Sequence, residues 1–236
     1  MSEDKVETGL SRSGIKALIS QFRWLGIQAV LLFASAGHID IPRAWIYFIY
    51  VFGAVIFSTI IFVKYLPELA NQRGEIQEGA KSWDKKLILL YFFVTIIVIP
   101  VVVGLDVGRF GWSTLDSSYI LVGICLYTVS YILIQWAMFS NTHFEGLVRI
   151  QKDRGHKVVS TGPYKYVRHP GYIGMILLVL SLPLVIGSIY GLIPAGIAIF
   201  LLIIRTSLED KTLQLELDGY SEYAKKVKYR LLPGVW

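Results

Sequence analysis

Residues Gly171–Ile204 form a run of 34 residues without a single charged side chain. Such a run is suited to a bilayer, where a helix of about 20 apolar residues crosses the hydrocarbon core. It is too long for one upright helix, and four turn-forming residues interrupt its middle: Pro183, Gly187, Gly191 and Pro194. The run therefore predicts a hairpin (171–205) of two short helices, at about 171–186 and 190–205.

Further uncharged runs occupy the first part of the chain, at 44–63, 87–105 and 118–139, and a fourth apolar segment extends from about 15 to 37. The composition agrees with them, because only 17% of the residues are charged and 54% are hydrophobic, whereas soluble proteins carry about 25% charged residues. These features predict an all-α integral membrane protein with about six transmembrane helices, including the hairpin.

The polar segments between the runs are predicted to be surface loops. They are the charged start Met1–Arg12, the loop Lys64–Lys86 and the loop Asp106–Asp116. Pro100 is predicted to kink the third span. We divide the chain into an N-terminal part with about four spans (1–139) and a second part with a loop, the hairpin and a tail (140–236).

The basic side chains are distributed unevenly between the two sides of this predicted topology. Of the 23 Lys and Arg residues, 21 fall on the side of the chain ends and 2 on the other side. The positive-inside rule then predicts that both termini, the 140–170 segment and the tail are cytoplasmic. The membrane is the plasma membrane for a prokaryotic protein and the endoplasmic reticulum for a eukaryotic one. This distribution also explains the net charge of +6 without nucleic-acid binding.

The sequence also argues against a metal site and against an ion-coupled transporter. One cysteine, Cys125, and four histidines, none at zinc-ligand spacing, predict no metal site. The spans contain no ionisable residue in 44–63, 87–105, 117–140 or 171–204, which argues against an ion-coupled transporter.

Two polar clusters lie at the ends of the hairpin, one at 156–172 and the other in the tail. The tail cluster comprises Arg205, Glu209, Asp210 and Glu216. Because a hairpin returns the chain to the same membrane face, both clusters are expected to share one cytoplasmic pocket, closed by the tail. If the last helix continues into the tail, one helical face carries Arg205, Glu209, Thr212 and Glu216. The alternative is a solvated charged face.

Residues in the first cluster also have simpler interpretations. Arg168 could anchor the chain to lipid phosphates. His169 could cap a helix that begins with Pro170. Tyr164, Tyr166 and Tyr172 could be aromatic side chains of the membrane interface, which is a common location for tyrosine. His38 and His143 are assigned no function.

The combination of these residues resembles a known family. The sequence Thr161–Gly174, TGPYKYVRHPGYIG, is similar to the G-x-Y-x-x-x-R-H-P-x-Y-x-G signature of the isoprenylcysteine carboxyl methyltransferase family. That family belongs to a wider group that includes phospholipid N-methyltransferases. The tail resembles the family ending R-x-x-x-E-E-x-x-L…F-G-x-x-Y-x-x-Y…P through Arg205–Leu213, Gly219–Tyr223 and Pro233. The resemblance covers about 140–236, and the first 115 residues carry no recognised motif.

The resemblance implies S-adenosylmethionine as the methyl donor and a cofactor site made by the loop before the hairpin and by the tail. Carried over by position, the cofactor-binding residues are Gln151, His156, Lys157, Val158, Val159, Tyr164, His169, Pro170, Gly171, Tyr172 and Glu209. Arg205 would bind the substrate carboxylate, so that Arg205 and Glu209 are the catalytic residues. The chain departs from the pattern at Asp210, where the family has a second glutamate, and at Leu217-Asp218-Gly219 in place of F-G. The loop around Gln151 aligns only with a gap.

The resemblance implies O-methylation of a carboxylate on an isoprenylcysteine-like or other lipophilic substrate held in the lipid bilayer. A carboxylate with a pKa of about 3.3–3.7 is already ionised at pH 7 and needs no general base, and an arginine fork can bind it in a bidentate manner. The alternative is N-methylation of a lipid amine, for which Glu209 or His169 would have to act as base. A third possibility, from another class, is a non-catalytic membrane scaffold or transporter.

Overall fold

The structure is a computed structural model that describes residues 9–75 and 78–236. These residues form helices and contain no β-strand. The helices are α1 (Arg12–Ala36), α2 (Pro42–Tyr65), α3 (Pro67–Gly74), α4 (Ser82–Phe110), α5 (Ser118–Ser140), α6 (Pro170–Ile186), α7 (Leu192–Glu216) and α8 (Tyr220–Lys226). Most of the predicted surface segment Met1–Arg12 lies outside the described residues, and Arg12 itself begins α1.

Five of these helices are long and apolar enough to cross a membrane: α1, α2, α4, α5 and α7, with 23 to 29 residues each. The prediction of an all-α integral membrane protein is confirmed at this level. Helix α6 is apolar but has only 17 residues, which corresponds to a length of about 26 Å at 1.5 Å per residue. Helix α7 continues beyond the membrane-suited part to Glu216, so that the first part of the tail is helical.

The segment Lys64–Lys86 is not the simple loop that its polarity predicts. Helix α3 begins at Pro67, whose fixed φ suits the first helical position. Leu69 and Ala70 are buried, and they belong to a small apolar cluster with Leu18 of α1. The helix forms because packing of these two residues against α1 compensates for its polar composition.

The third span extends further than predicted and is irregular on both sides of Pro100. Turns of π-helix at Val94–Val98 and Gly104–Phe110 flank a short α-helical stretch, Ile99–Val103. Proline lacks the N–H that an α-helix requires, and wider turns accommodate such local mismatches. The helix therefore includes Asp106, which the sequence placed in a loop.

The turn between α6 and α7 is held by two polar groups, a buried carboxylate and a partly exposed guanidinium, at the bundle end opposite the start of α6. The Asp106 carboxylate is 0% exposed and accepts hydrogen bonds from the hydroxyl groups of Ser113 and Ser188, both at 2.6 Å. The Arg43 guanidinium donates to the carbonyls of Val185 at 2.6 Å and Leu184 at 3.1 Å. These carbonyls belong to the last turn of α6, where they lack helical partners. The turn is thus fixed to the rest of the bundle.

Helices α5 and α6 pack closely through glycines. A Cβ at Gly123 of α5 would lie 2.5 Å from the Val185 side chain and 2.8 Å from its backbone nitrogen. In the same way, Gly174 of α6 faces the Ser130 carbonyl of α5. This contact places the first turn of α6, and with it Tyr172, against the segment that follows α5.

We predict that Gly123→Ala destabilises the protein, because the added methyl group must displace the backbone of α6. The expected loss is about 1–3 kcal/mol, typical of overpacking, and the measurement is thermal unfolding in detergent. Gly53→Ala in α2 is the matched control, since a Cβ there meets no atom within 4 Å and alanine is the better helix former. Equal unfolding temperatures for the two variants would contradict the close α5–α6 contact.

Candidate functional site

A pocket opens at the end of the bundle where α6 begins and the last turns of α7 emerge. Its walls are the segment 141–159, the first turns of α6, one face of α7, and two tyrosines of α8, Tyr220 and Tyr223. The space inside is about 1090 Å³, including the part that opens to solvent.

The pocket gathers nearly all of the residues selected from the sequence. It is lined by Gln151, His156, Lys157, Val158, Val159, Tyr164, His169, Gly171, Tyr172, Arg205 and Glu209. Pro170 does not line it, because its ring is buried as the first residue of α6. The two polar clusters therefore share one pocket.

The face that α7 turns to the pocket differs from the predicted one. Arg205, Glu209 and Leu213 line the pocket, whereas Thr212 is buried with its hydroxyl bound to the Leu208 carbonyl. Glu216 lies outside and forms an ion pair with Lys81 at 2.6 Å. Residues four positions apart point in directions that differ by about 40°, because four residues make more than one helical turn. The pocket-facing row Arg205, Glu209 and Leu213 therefore shifts gradually around α7, as occurs when a helix crosses its neighbours at an angle.

Asp210 holds the back wall of the pocket together. Its carboxylate is 0% exposed and accepts from both Nε and Nη2 of Arg168, at 2.7 and 3.0 Å. The hydroxyl of Tyr220 donates to it at 3.0 Å and Nε of Arg230 at 2.9 Å. The departure from the family's glutamate thus falls on a residue that binds neighbouring protein groups. Arg168 is engaged in this network and is not an anchor to lipid phosphates.

His169 lies at the N-cap position of α6 but makes no side-chain cap hydrogen bond. Instead its Nε2 lies 3.2 Å from Asp210 Oδ1, and its backbone N–H donates to the Arg230 carbonyl. A carboxylate can only accept, so in this pair Nε2 carries the hydrogen. Two residues after His169, Gly171 leaves no room for a side chain unless Phe144 moves, because a Cβ would lie 2.6 Å from the Phe144 ring.

Arg205 is bound by a residue that the sequence did not single out. Its Nε and Nη2 donate to the two carboxylate oxygens of Asp84, at 2.6 and 3.0 Å, and Nη2 also donates to the Gly146 carbonyl at 2.7 Å. The pair of donors Nε and Nη2, which could have bound a substrate carboxylate in a bidentate manner, is therefore already occupied by Asp84. Within residues 9–75 and 78–236, Nη1 has no hydrogen-bond partner.

Tyr172 lies between the two charged residues of α7. The guanidinium carbon of Arg205 is 5.3 Å from the centre of the Tyr172 ring, within the range of a cation–π contact. The Tyr172 hydroxyl donates to Glu209 Oε2. Tyr166, in contrast, is 65% exposed and lies outside the pocket, as expected for an interface aromatic.

Gln151 organises the other side of the pocket. It is 2% exposed; its amide nitrogen donates to the His143 carbonyl at 2.8 Å, and its amide oxygen lies 3.1 Å from His143 Nδ1. The Gln151 backbone N–H points to His156 Nδ1 at 3.4 Å, and the two imidazole rings lie 4.5 Å apart. His143, which was assigned no function, is thus part of the lining.

Burial changes the ionisation of groups in the non-membrane parts of this pocket. It lowers the pKa of His156 from 6.5 to about 4, and the nearby His143, Arg149 and Arg154 act in the same direction. Burial also raises the pKa of the Tyr164, Tyr220 and Tyr223 phenols. These side chains are therefore neutral hydrogen-bonding groups at physiological pH.

The N-terminal part of the chain contributes lining residues without any recognised motif. Arg73 comes from α3, and Ile88 and Phe92 come from α4. A single charged residue ahead of an apolar run is typical of any membrane helix. The sequence alone therefore does not identify Arg73 as a lining residue or Asp84 as the partner of Arg205. Among the described residues, no group of three or more His, Cys, Asp or Glu side chains is placed to hold a metal ion.

Residues 121–215 match the sequence profile of the isoprenylcysteine carboxyl methyltransferase family. The matched region comprises 95 of the 236 residues. The overall fold is similar to that of a eukaryotic intramembrane Ras methyltransferase, itself an isoprenylcysteine carboxyl methyltransferase. The sequence identity is 16% and the TM-score 0.52, over 91% of this chain and 78% of the other. No curated protein sequence matches the chain. The profile match and the helical membrane fold together support a membrane methyltransferase.

We predict that His156 makes stability depend on pH. The unfolded chain takes up a proton near pH 6.5, but the folded imidazole does so only near pH 4, so the free energy of unfolding decreases as pH falls through this window. In His156→Asn, the amide oxygen can still accept from the Gln151 N–H but does not titrate. Its unfolding temperature should fall less than that of the wild type between pH 7 and 5; parallel curves would contradict the lowered pKa.

Proposed function

We propose that this chain transfers the methyl group of S-adenosylmethionine to a carboxylate of an isoprenylcysteine-like, lipophilic substrate. The observation that carries the proposal is that Arg205 and Glu209 lie one turn apart on α7 and both face one pocket, with Tyr172 between them. A guanidinium hydrogen-bond donor for an acidic acceptor and an anion for a positively charged methyl donor are thereby available side by side.

The pocket residues fit the chemical groups of the cofactor. When bound, S-adenosylmethionine supplies an activated methyl group on a positively charged sulfur. The Glu209 carboxylate and the Tyr172 ring suit its ammonium or sulfonium groups. Gln151 and His156, which are neutral, suit its ribose or adenine, and the remaining residues predicted to bind it line the same space. Pro170 acts indirectly, by starting α6 and thereby setting His169 and Tyr172.

A carboxylate acceptor requires little of this chain beyond orientation. The acceptor oxygen forms a bond to the methyl carbon as the carbon–sulfur bond breaks, its electron pair stays on sulfur, and no proton is transferred. The acceptor is already ionised, so no base is needed. Arg205 contributes Nη1 as the hydrogen-bond donor, and the surrounding side chains exclude water and hold the reacting atoms in line.

The lipophilic part of the substrate has a suitable surface next to the polar one. Ile88 and Phe92 of α4 and Met175 of α6 form an apolar part of the wall on helices that are proposed to lie in the bilayer. A prenyl chain could remain among them while its polar end reaches Arg205. The uneven distribution of Lys and Arg favours a cytoplasmic pocket with both termini on that side. The protein then has about six spans if α6 is counted as one.

One observation favours the alternative of lipid-amine N-methylation. Asp84 compensates the charge of Arg205, and of the two carboxylates that line the pocket, Glu145 and Glu209, Glu209 is the one that forms no ion pair within the described residues. Such a site could also attract a protonated amine, and Glu209 or His169 would then have to remove its proton. A scaffold without catalytic activity would bind neither donor nor acceptor.

The first test is S-adenosylmethionine binding to the detergent-purified protein by calorimetry. We expect the wild type to bind and both Glu209→Ala and Tyr172→Ala to lose at least ten-fold in affinity, because each removes a partner of the positively charged groups. Tyr166→Ala is the control, since this tyrosine belongs to the same segment but is exposed. No binding by the wild type at millimolar cofactor would refute the methyltransferase proposal.

The second test concerns the acceptor. With N-acetyl-S-farnesylcysteine and labelled cofactor, Arg205→Ala should lose at least 100-fold in methyl ester formation, on the scale of removing one oriented donor, while cofactor affinity stays within about three-fold. Lys211→Ala, an exposed charge on the same helix, should behave like the wild type. Equal loss of turnover and cofactor affinity would mean that Arg205 serves the cofactor. Transfer to a lipid amine but not to the carboxylate would favour the alternative.

A further inference from the structure

The orientation of Arg205 is set from outside the family motifs. Asp84 lies in the first turn of α4, and 121 positions separate it from Arg205. Both side chains are buried, with Asp84 0% and Arg205 5% exposed. The two parallel hydrogen bonds between them fix the plane of the guanidinium as well as its position.

Asp84 is itself held in place by the segment before the cofactor-binding loop. Its Oδ2 accepts from the Val148 backbone N–H at 2.7 Å, and the Lys81 N–H donates to the Val148 carbonyl at 3.0 Å. The guanidinium also contacts the Tyr172 ring, with its carbon 5.3 Å from the ring centre. The α4 start, the 146–148 segment and α6 therefore restrict Arg205 together, and Nη1 is the nitrogen left for a ligand.

The charge of this pair matters for the proposed reaction. The acceptor begins as a carboxylate and ends as a neutral ester, so its negative charge decreases on the way to the transition state. A fully charged guanidinium would stabilise the starting carboxylate more than the transition state, and such ground-state binding opposes catalysis. A guanidinium paired with a carboxylate keeps the directional hydrogen bond but has little net attraction.

We propose that Asp84 is a positioning residue for methyl transfer, which aims Nη1 of Arg205 at the acceptor carboxylate and cancels the guanidinium charge. This inference rests on the proposed function and adds to it a residue from the N-terminal part. Asp84 touches neither the acceptor nor the cofactor; it acts through Arg205.

The test compares Asp84→Asn, which removes the charge, with Asp84→Glu, which keeps the charge but displaces the carboxylate. For Asp84→Asn we expect kcat to fall on the order of 100-fold, as for a misplaced group. Its KM for N-acetyl-S-farnesylcysteine should be no higher than in the wild type, because the uncompensated guanidinium binds the carboxylate more strongly. Cofactor affinity should stay within about five-fold. A merely structural role would instead raise KM and weaken cofactor binding together.

Asp84→Glu keeps the test decisive if Asp84→Asn does not fold, since it retains a negative charge beside Arg205. We expect its kcat to fall at least ten-fold with cofactor affinity within about three-fold. The matched control is Glu216→Gln, which removes the exposed Lys81–Glu216 pair. That pair joins the same two chain segments outside the pocket, and its loss should leave kcat and KM within two-fold.

The outcomes separate this inference from the proposed function. If the wild type neither binds S-adenosylmethionine nor methylates the acceptor, the proposed function fails and the inference with it. If the wild type is active and both Asp84 variants match Glu216→Gln, only the inference is overturned. A raised KM and a proportional loss of cofactor affinity in Asp84→Asn would overturn it as well.

Discussion

The pocket depends on one buried carboxylate, that of Asp210. Three parts of the chain converge on this residue of α7: the Arg168-His169 segment, Tyr220 of α8 and Arg230 of the C-terminal segment. A buried charge is costly unless several charge-assisted hydrogen bonds compensate for it, so the movement of any of these parts away from Asp210 would leave its carboxylate less well compensated. Three pocket-lining side chains take their orientation from this shared partner: Arg168, His169 and Tyr220.

The pocket also joins the two parts into which the sequence was divided. The motif-bearing part supplies the side chains that are proposed to face the cofactor, but α3 and α4 supply Arg73, Ile88 and Phe92 as lining. The Asp84–Arg205 pair connects them through the interior, and the Lys81–Glu216 pair does so at the surface. The N-terminal helices therefore contribute to the site itself as well as to membrane insertion.

Local features of the site were predictable from the sequence, whereas long-range pairs were not. His169, Gly171 and Tyr172 follow from a contiguous motif around a helix-starting proline, and hydropathy was sufficient to predict the helical membrane architecture. The prediction of which α7 residues face the pocket was only partly correct, because spacing alone does not determine how a helix crosses its neighbours. Asp84 has no local signal of any kind: its partner is 121 positions away, and only the packing of α4 against α7 brings them together.

That separation along the chain has a consequence for how the protein is made. At about 5–20 residues per second, synthesis of the 121 residues between Asp84 and Arg205 takes roughly 6–24 s. Throughout this interval the Asp84 carboxylate lacks the guanidinium of Arg205, and an unpaired charge is costly inside hydrocarbon. It must remain at the water-facing end of α4 while three further helices, α5, α6 and α7, are made. Assembly of the pocket is therefore a late event, completed only after α7 has emerged from the ribosome and docked against a helix inserted long before it.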